Sequence, residues 1–184
     1  RWVVTQDLGA RQMVDPPDKA EDIIFSTTCN SNTQFAIMGL WTAQRHDVPM
    51  QRTLRLVARR FMSSQNPDGG WGYHYRNGGG EPSGPAMDCV GLLGLAVGHG
   101  LGKAGDRVVN QRQDPEILNG FAALNGNLGV PAGRTQNLPP ANLYFLWSLE
   151  RVAVLYDLPT IADKDWYRWG AEIVVANQSQ DGDW

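Results

Sequence analysis

The heptapeptide Q-x-x-D-G-x-W occurs twice in this chain, as Gln65-Asn66-Pro67-Asp68-Gly69-Gly70-Trp71 and as Gln178-Ser179-Gln180-Asp181-Gly182-Asp183-Trp184. Self-similarity at a fixed spacing is the signature of repeat architectures, so the chain is expected to be a stack of similar units. Other matches agree. Asn32, Phe35, Asp47 and Pro49 match Asn142, Phe145, Asp157 and Pro159, each pair 110 positions apart, whereas the heptapeptides are 113 apart. At half the first offset, 55 positions, Phe35-Ala36-Ile37-Met38-Gly39-Leu40 aligns with Val90-Gly91-Leu92-Leu93-Gly94-Leu95. Three units are visible.

Each unit reads as two helices. The stretch 32–46 sets Phe35, Met38, Gly39 and Trp41 among small or polar residues, with Ser31 or Asn32 as N-cap, and Pro49 ends it. A second helix over 51–64 carries Leu54, Leu56, Val57, Phe61 and Met62 with Arg52, Arg55, Arg59 and Arg60 between them, its basic side outward. The middle unit predicts an apolar helix over 86–98 and another entered at Asp114-Pro115-Glu116, where Asp caps and Pro suits the first turn. The third predicts 141–156 and 163–178. One helix of each pair is expected to be buried nearly all round and the other amphipathic, giving an inner and an outer layer. Gly- and Pro-rich stretches at 66–85 and 125–140 supply the turns, and no segment reads as a strand. Residues 1–26, with Asp15-Pro16-Pro17-Asp18, read as a connecting arm ahead of a repeat domain over 27–184.

A chain of 184 residues, 42% hydrophobic and 19% charged, is long enough for one ordinary core. Its formal charge of −3 argues against a nucleic-acid partner, which needs a basic face. Cys29 and Cys89 make neither a disulfide framework nor a four-cysteine metal site and are expected to be reduced. The longest apolar stretch, 89–97, is too short to span a bilayer, and no basic-then-apolar signal opens the chain. No compartment is indicated. Arg1 in place of Met leads to the expectation that the chain belongs to a longer one.

The heptapeptides, the apolar helix with its small residues and the 55-residue pairing resemble the prenyltransferase and squalene cyclase repeat family, over roughly residues 27–184. The resemblance implies an all-α fold, a partial α/α toroid of about three inner/outer helix pairs. Its inner helices would enclose an apolar cavity. Three pairs leave exposed edges, so flanking chain or an oligomer is expected to close the toroid. The middle unit departs from the family pattern, with Ala123-Leu124-Asn125-Gly126-Asn127-Leu128-Gly129 where the Gln and Trp would stand. In the family the heptapeptides tie neighbouring helices, which implies structural roles for Gln65, Asp68, Gly69, Trp71, Gln178, Asp181, Gly182 and Trp184. The chemistry agrees: Gln bonds free backbone groups, Gly permits a left-handed turn, and Trp covers it.

The family suggests two chemistries. Squalene-type cyclases protonate an alkene with an aspartic acid of a D-x-D-D segment, kept protonated by its surroundings. Here the only D-x-D is Asp163-Lys164-Asp165, which lacks the final Asp and reads as a helix start favoured by the dipole. Asp88, at the start of the middle apolar helix, is the candidate for a buried acid. Protein prenyltransferases instead hold zinc with Asp, Cys and His. Asp88, Cys89 and His74 are the weak candidates for such a site, but adjacent helical residues project about 100° apart, so an inert buried cysteine is the preferred reading. No metal or other cofactor is expected, zinc being the alternative. Substrate-binding candidates are Tyr73, His74 and Tyr75 at the cavity mouth, and Tyr144, Trp147 and Arg151 on one helical face, where aromatic rings could steady a carbocation.

The expectation for function is a squalene or terpenoid cyclase-like repeat domain that binds or cyclises an isoprenoid or other apolar small molecule. The alternatives are a noncatalytic helical scaffold or ligand-binding domain and, third, a zinc-dependent prenyltransferase-like protein.

Overall fold

The computed structural model describes residues 28–99, 114–129 and 140–184, with side chains from 143 onward in the last stretch. The arm expected over 1–26 lies outside them. Among the described residues the chain is all helical, with six helices and no extended strand. They are α1 Asn30–Gln44, α2 Gln51–Ser63, α3 Pro85–Gly98, α4 Pro115–Asn125, α5 Pro140–Leu155 and α6 Trp166–Asn177. None is long and apolar enough to cross a membrane.

The helix starts follow local chemistry. Asp114 caps α4, its side chain accepting from the amides of Glu116 and Ile117 at 3.0 and 3.3 Å. Two starts differ from expectation. The N-cap of α1 is Cys29, with no side-chain cap, because the Asn30 amide donates to the Tyr73 carbonyl at 2.7 Å instead. Ser31 is therefore inside the helix, its hydroxyl turned to Cys29 Sγ and the Tyr73 hydroxyl. Helix α6 begins at Trp166 rather than 163, because Ala162 and Asp163 are left-handed, at φ 46° and 65°, in a turn pairing Ile161 with Lys164. Asp165 then caps it through the Arg168 amide.

The repeat extends to backbone detail. Helices α1 and α5 end alike, with Asp47 and Asp157 left-handed at φ 59° and 52°. In each the next amide, of Val48 or Leu158, returns to a carbonyl five residues back. Both heptapeptides turn at a left-handed glycine, Gly69 at φ 87° and Gly182 at φ 86°. In both, Gln Nε2 donates to that glycine's carbonyl and Trp Nε1 to a helix carbonyl ten residues back, that of Phe61 or Val174. Gln65 Nε2 also donates to the Glu116 carbonyl in the first turn of α4 at 2.8 Å, which ties the two amphipathic helices together. The middle unit, which has no such Gln, is tied from the other side. Lys164 Nζ donates to the Asn125 and Leu128 carbonyls at 2.7 Å each, closing the last turn of α4 against the entrance to α6.

Helix α3 is the centre of the core. Residues 87–97 are all buried, and the helix packs against α1, α2, α4 and α5. Its glycines admit this close approach: Gly91 lies under the Trp71 ring, Gly94 under the Phe61 ring and Gly98 against Ala58, where a Cβ would collide. The expectation that each apolar helix is buried nearly all round holds for α3 alone. Helix α1 buries only Asn30, Gln34 and Ile37, a single stripe, because α3 covers one side of it and no described helix covers the other. Helix α2 buries one of its arginines. Arg60 donates to Asn30 Oδ1 at 2.8 Å and lies over the Tyr75 ring at 4.5 Å, whereas Arg52, Arg55 and Arg59 face outward as expected.

Candidate functional site

Helices α1 and α5 both lie against α3 and meet each other through side chains. Gln34 of α1 is fully buried and accepts at Oε1 from the Tyr144 hydroxyl at 2.5 Å, while its Nε2 donates to Ser148 Oγ at 3.3 Å. Burial pushes the Tyr144 phenol above its ordinary pKa, and the neighbouring Tyr73 and Cys29 add to the rise. Tyr144 therefore stays a neutral donor. Beside this polar knot runs an aromatic strip. Tyr144 stacks on Trp147 at 6.1 Å between centroids, Trp147 stacks on Phe35 at 5.4 Å, and Arg151 sits over Trp147 at 5.3 Å. Phe35 is 56% exposed although it heads an apolar run, so the strip ends in solvent rather than in the core. Three candidates read from one helical face, Tyr144, Trp147 and Arg151, are thus brought together. Phe35, from the first unit, joins them.

The mouth candidates separate. The Tyr73 hydroxyl accepts from Ser31 Oγ at 3.1 Å, beside Cys29, whose thiol the same Ser31 hydroxyl draws below its usual pKa. His74 turns away to Glu81, Nδ1 to Oε1 at 3.2 Å, and its amide holds the other carboxylate oxygen and lowers the Glu81 pKa. Tyr75 lies beneath Arg60, and burial pulls that guanidinium down to about 10. Tyr73 and Tyr75 bind the loop to α1 and α2 by side-chain bonds to Ser31 and Ser63, and His74 by the Cys29–His74 backbone bridge.

Asp88 occupies the first turn of α3 and is 1% exposed. Its Oδ1 accepts the Trp71 amide at 2.9 Å. Burial pushes its carboxyl up to about 7 against the opposing pull of that bond, with the Asp68 charge adding to the rise. A proton is therefore available near neutrality, on a group engaged with the heptapeptide. Cys89 beside it is fully buried and its thiol is pushed well up by burial, then by Asp88. Asp88, Cys89 and His74 do not converge, and among the described residues no three His, Cys, Asp or Glu side chains form a group able to hold a metal. These three candidates do not form a zinc site.

Several residues at the site were not found by sequence reasoning. Gln34, Ser148, Asn30 and Arg60 are buried polar side chains that join helices, the first two across units and the last two within the first unit. Uncharged polar residues beside the apolar runs of the 30–44 and 140–155 helices were the available signal for the first three. Arg60 carried none, being one arginine among four.

No family model matches the chain, and neither does any curated protein or solved structure.

Proposed function

We propose that this chain is a helical-repeat domain of the terpenoid cyclase type that holds an elongated apolar small molecule, an isoprenoid, against Phe35, Trp147 and Tyr144. The observation that carries this reading is the solvent-ended stack of three rings with a cation at its edge. Aromatic faces offer large apolar area and attract positive charge, so they suit both a polyene body and any cationic character in it. The Tyr144 hydroxyl and the Tyr73–Ser31 pair supply hydrogen-bonding groups for a polar head. The toroid implied by the family resemblance would extend the strip along further inner helices.

Binding without turnover is the form of the reading that the geometry favours. An acid that starts a polyene cyclisation must aim its proton into the ligand cavity, whereas the Asp88 carboxyl is bonded to the Trp71 amide. A noncatalytic scaffold is the second reading, favoured by the same bond. Titration of the chain with farnesol, followed by tryptophan fluorescence, separates the two. Saturable binding that weakens about tenfold or more in Trp147→Ala and Phe35→Ala, roughly 1.4 kcal/mol, is expected for the ligand-binding domain. Wild-type chain that does not bind, or binds no better than both variants, leaves the scaffold.

A further inference from the structure

We propose that copies of this chain join head to tail, with the second heptapeptide and α6 of one copy seated on α1 of the next. The first heptapeptide shows what such a seat looks like. Trp71 is fully buried, its ring lying over Gly91 of α3 and against Gly120 of α4, and Gln65 reaches across to the Glu116 carbonyl. The second heptapeptide repeats the glutamine bond, the indole bond and the backbone bonds of the turn, and lacks the seat. Gln178 Nε2 donates to the Gly182 carbonyl, with no acceptor on a neighbouring helix among the described residues, and Trp184 is 56% exposed. Around it, α6 exposes Tyr167 and Val175 along an open, apolar-lined depression.

Helix α1 supplies the matching surface. In the 55-position alignment Ala36, Gly39 and Ala43 stand where Gly91, Gly94 and Gly98 stand in α3, the seam that receives Trp71, Phe61 and Ala58. On α1 this seam is uncovered at its centre: Ala36 and Gly39 are exposed, and a Cβ at Gly39 would meet nothing within 4 Å. All 15 residues of α1 are uncharged, although the solvent side of a helix ordinarily carries charge. Among the described residues, α6 and its loop therefore present the tryptophan of the repeat without its seam, and α1 presents the seam without its tryptophan. The contact between the first and second units is continued from copy to copy. Because the two surfaces differ, the association is heterologous. It involves neither Trp147 nor Tyr144 but runs beside Phe35 on α1, and sedimentation of the chain without ligand tests it independently of the isoprenoid reading.

The test is sedimentation equilibrium of the whole chain over a range of concentrations. The expected result is an average mass above that of one chain, rising with concentration. Trp184→Ala and Gly39→Glu are each expected to sediment as single chains. Gly39 has open space for a side chain, and retention of the wild-type circular dichroism melt shows that the variant is folded. Mixed together, the two variants are expected to form a one-to-one pair and nothing larger, because each keeps one intact end. A wild-type chain that stays single at its highest soluble concentration overturns the proposal. So does association that survives both substitutions, or two variants that remain apart when mixed.

Discussion

The loops at 65–71 and 178–184 have the same backbone turn, the same glutamine bond and the same indole bond, yet one tryptophan is fully buried and the other is 56% exposed. Around the first loop the chain has built a frame. Asn66 bonds the Glu81 carbonyl, Ser83 Oγ and the Gly80 amide; Asp68 accepts from Ser83 and from the Gly70 amide; Asp88 receives the Trp71 amide. The second loop holds itself with Ser179, which bonds Asp183 and receives the Asp181 amide. Seven residues thus determine the shape of the turn. How much that turn stabilises depends on what lies beyond it.

Tryptophan substitution should give the largest contrast. Trp71→Ala is expected to cost about 3–5 kcal/mol, the range for emptying a large buried aromatic site. Trp184→Ala in dilute solution should cost less than about 1 kcal/mol, as for a surface side chain. Urea denaturation of both variants measures the difference, and equal losses would break the comparison.

Asp88 sharpens it through pH. Its carboxyl is pushed up to about 7 in the fold from an ordinary 3.8, so the folded chain holds a proton that the unfolded chain releases. The resulting stabilisation is complete below about pH 4 and is lost as pH rises to about 7. Linkage puts the loss at about 4 kcal/mol. Asp88→Asn keeps an acceptor for the Trp71 amide and should flatten the pH dependence in that window, read as the difference between variant and wild-type stability curves. A difference that does not change with pH would mean that the carboxyl is ionised in the fold. The second loop has no such carboxylate among the described residues.

The glutamines should differ least. Gln65→Ala removes two bonds, one of them between helices, and is expected to cost about 1–2 kcal/mol. Gln178→Ala removes one exposed bond and should cost about 0.5 kcal/mol or less. Thermal melts of the pair resolve this.

The six helices were legible because their signals are local: Asp114-Pro115 for an entrance, Pro49 for an exit, an arginine-studded amphipathic pattern for α2. The left-handed turn at the glycine of each heptapeptide was legible for the same reason. Burial was not. The segment 30–44 lacks charge as thoroughly as a core helix, but coverage depends on neighbours that a window of sequence does not contain, and only 85–98 is surrounded. The site was half legible. Spacings of three and four placed Tyr144, Trp147 and Arg151 on one face, whereas Phe35 joins them from more than a hundred residues away. Asp88 was recognisable as an unusual acid, but its partner is a backbone amide, which leaves no trace in residue identity.

The central position of α3 also bears on the order in which the chain acquires structure. In a solenoid each unit adds to the one already formed, so folding can advance from the first repeat. Here α1 meets α3 more extensively than it meets α2, and the rings of Phe61 and Trp71 wait for glycines that follow them in the chain. During synthesis the first pair emerges from the ribosome before its core exists. Helix α3, with Asp88 as its one charged residue, then stays adhesive until α2, α4 and α5 have all closed on it. The interval between α3 leaving the ribosome and α5 arriving is when this chain is most exposed to misassembly.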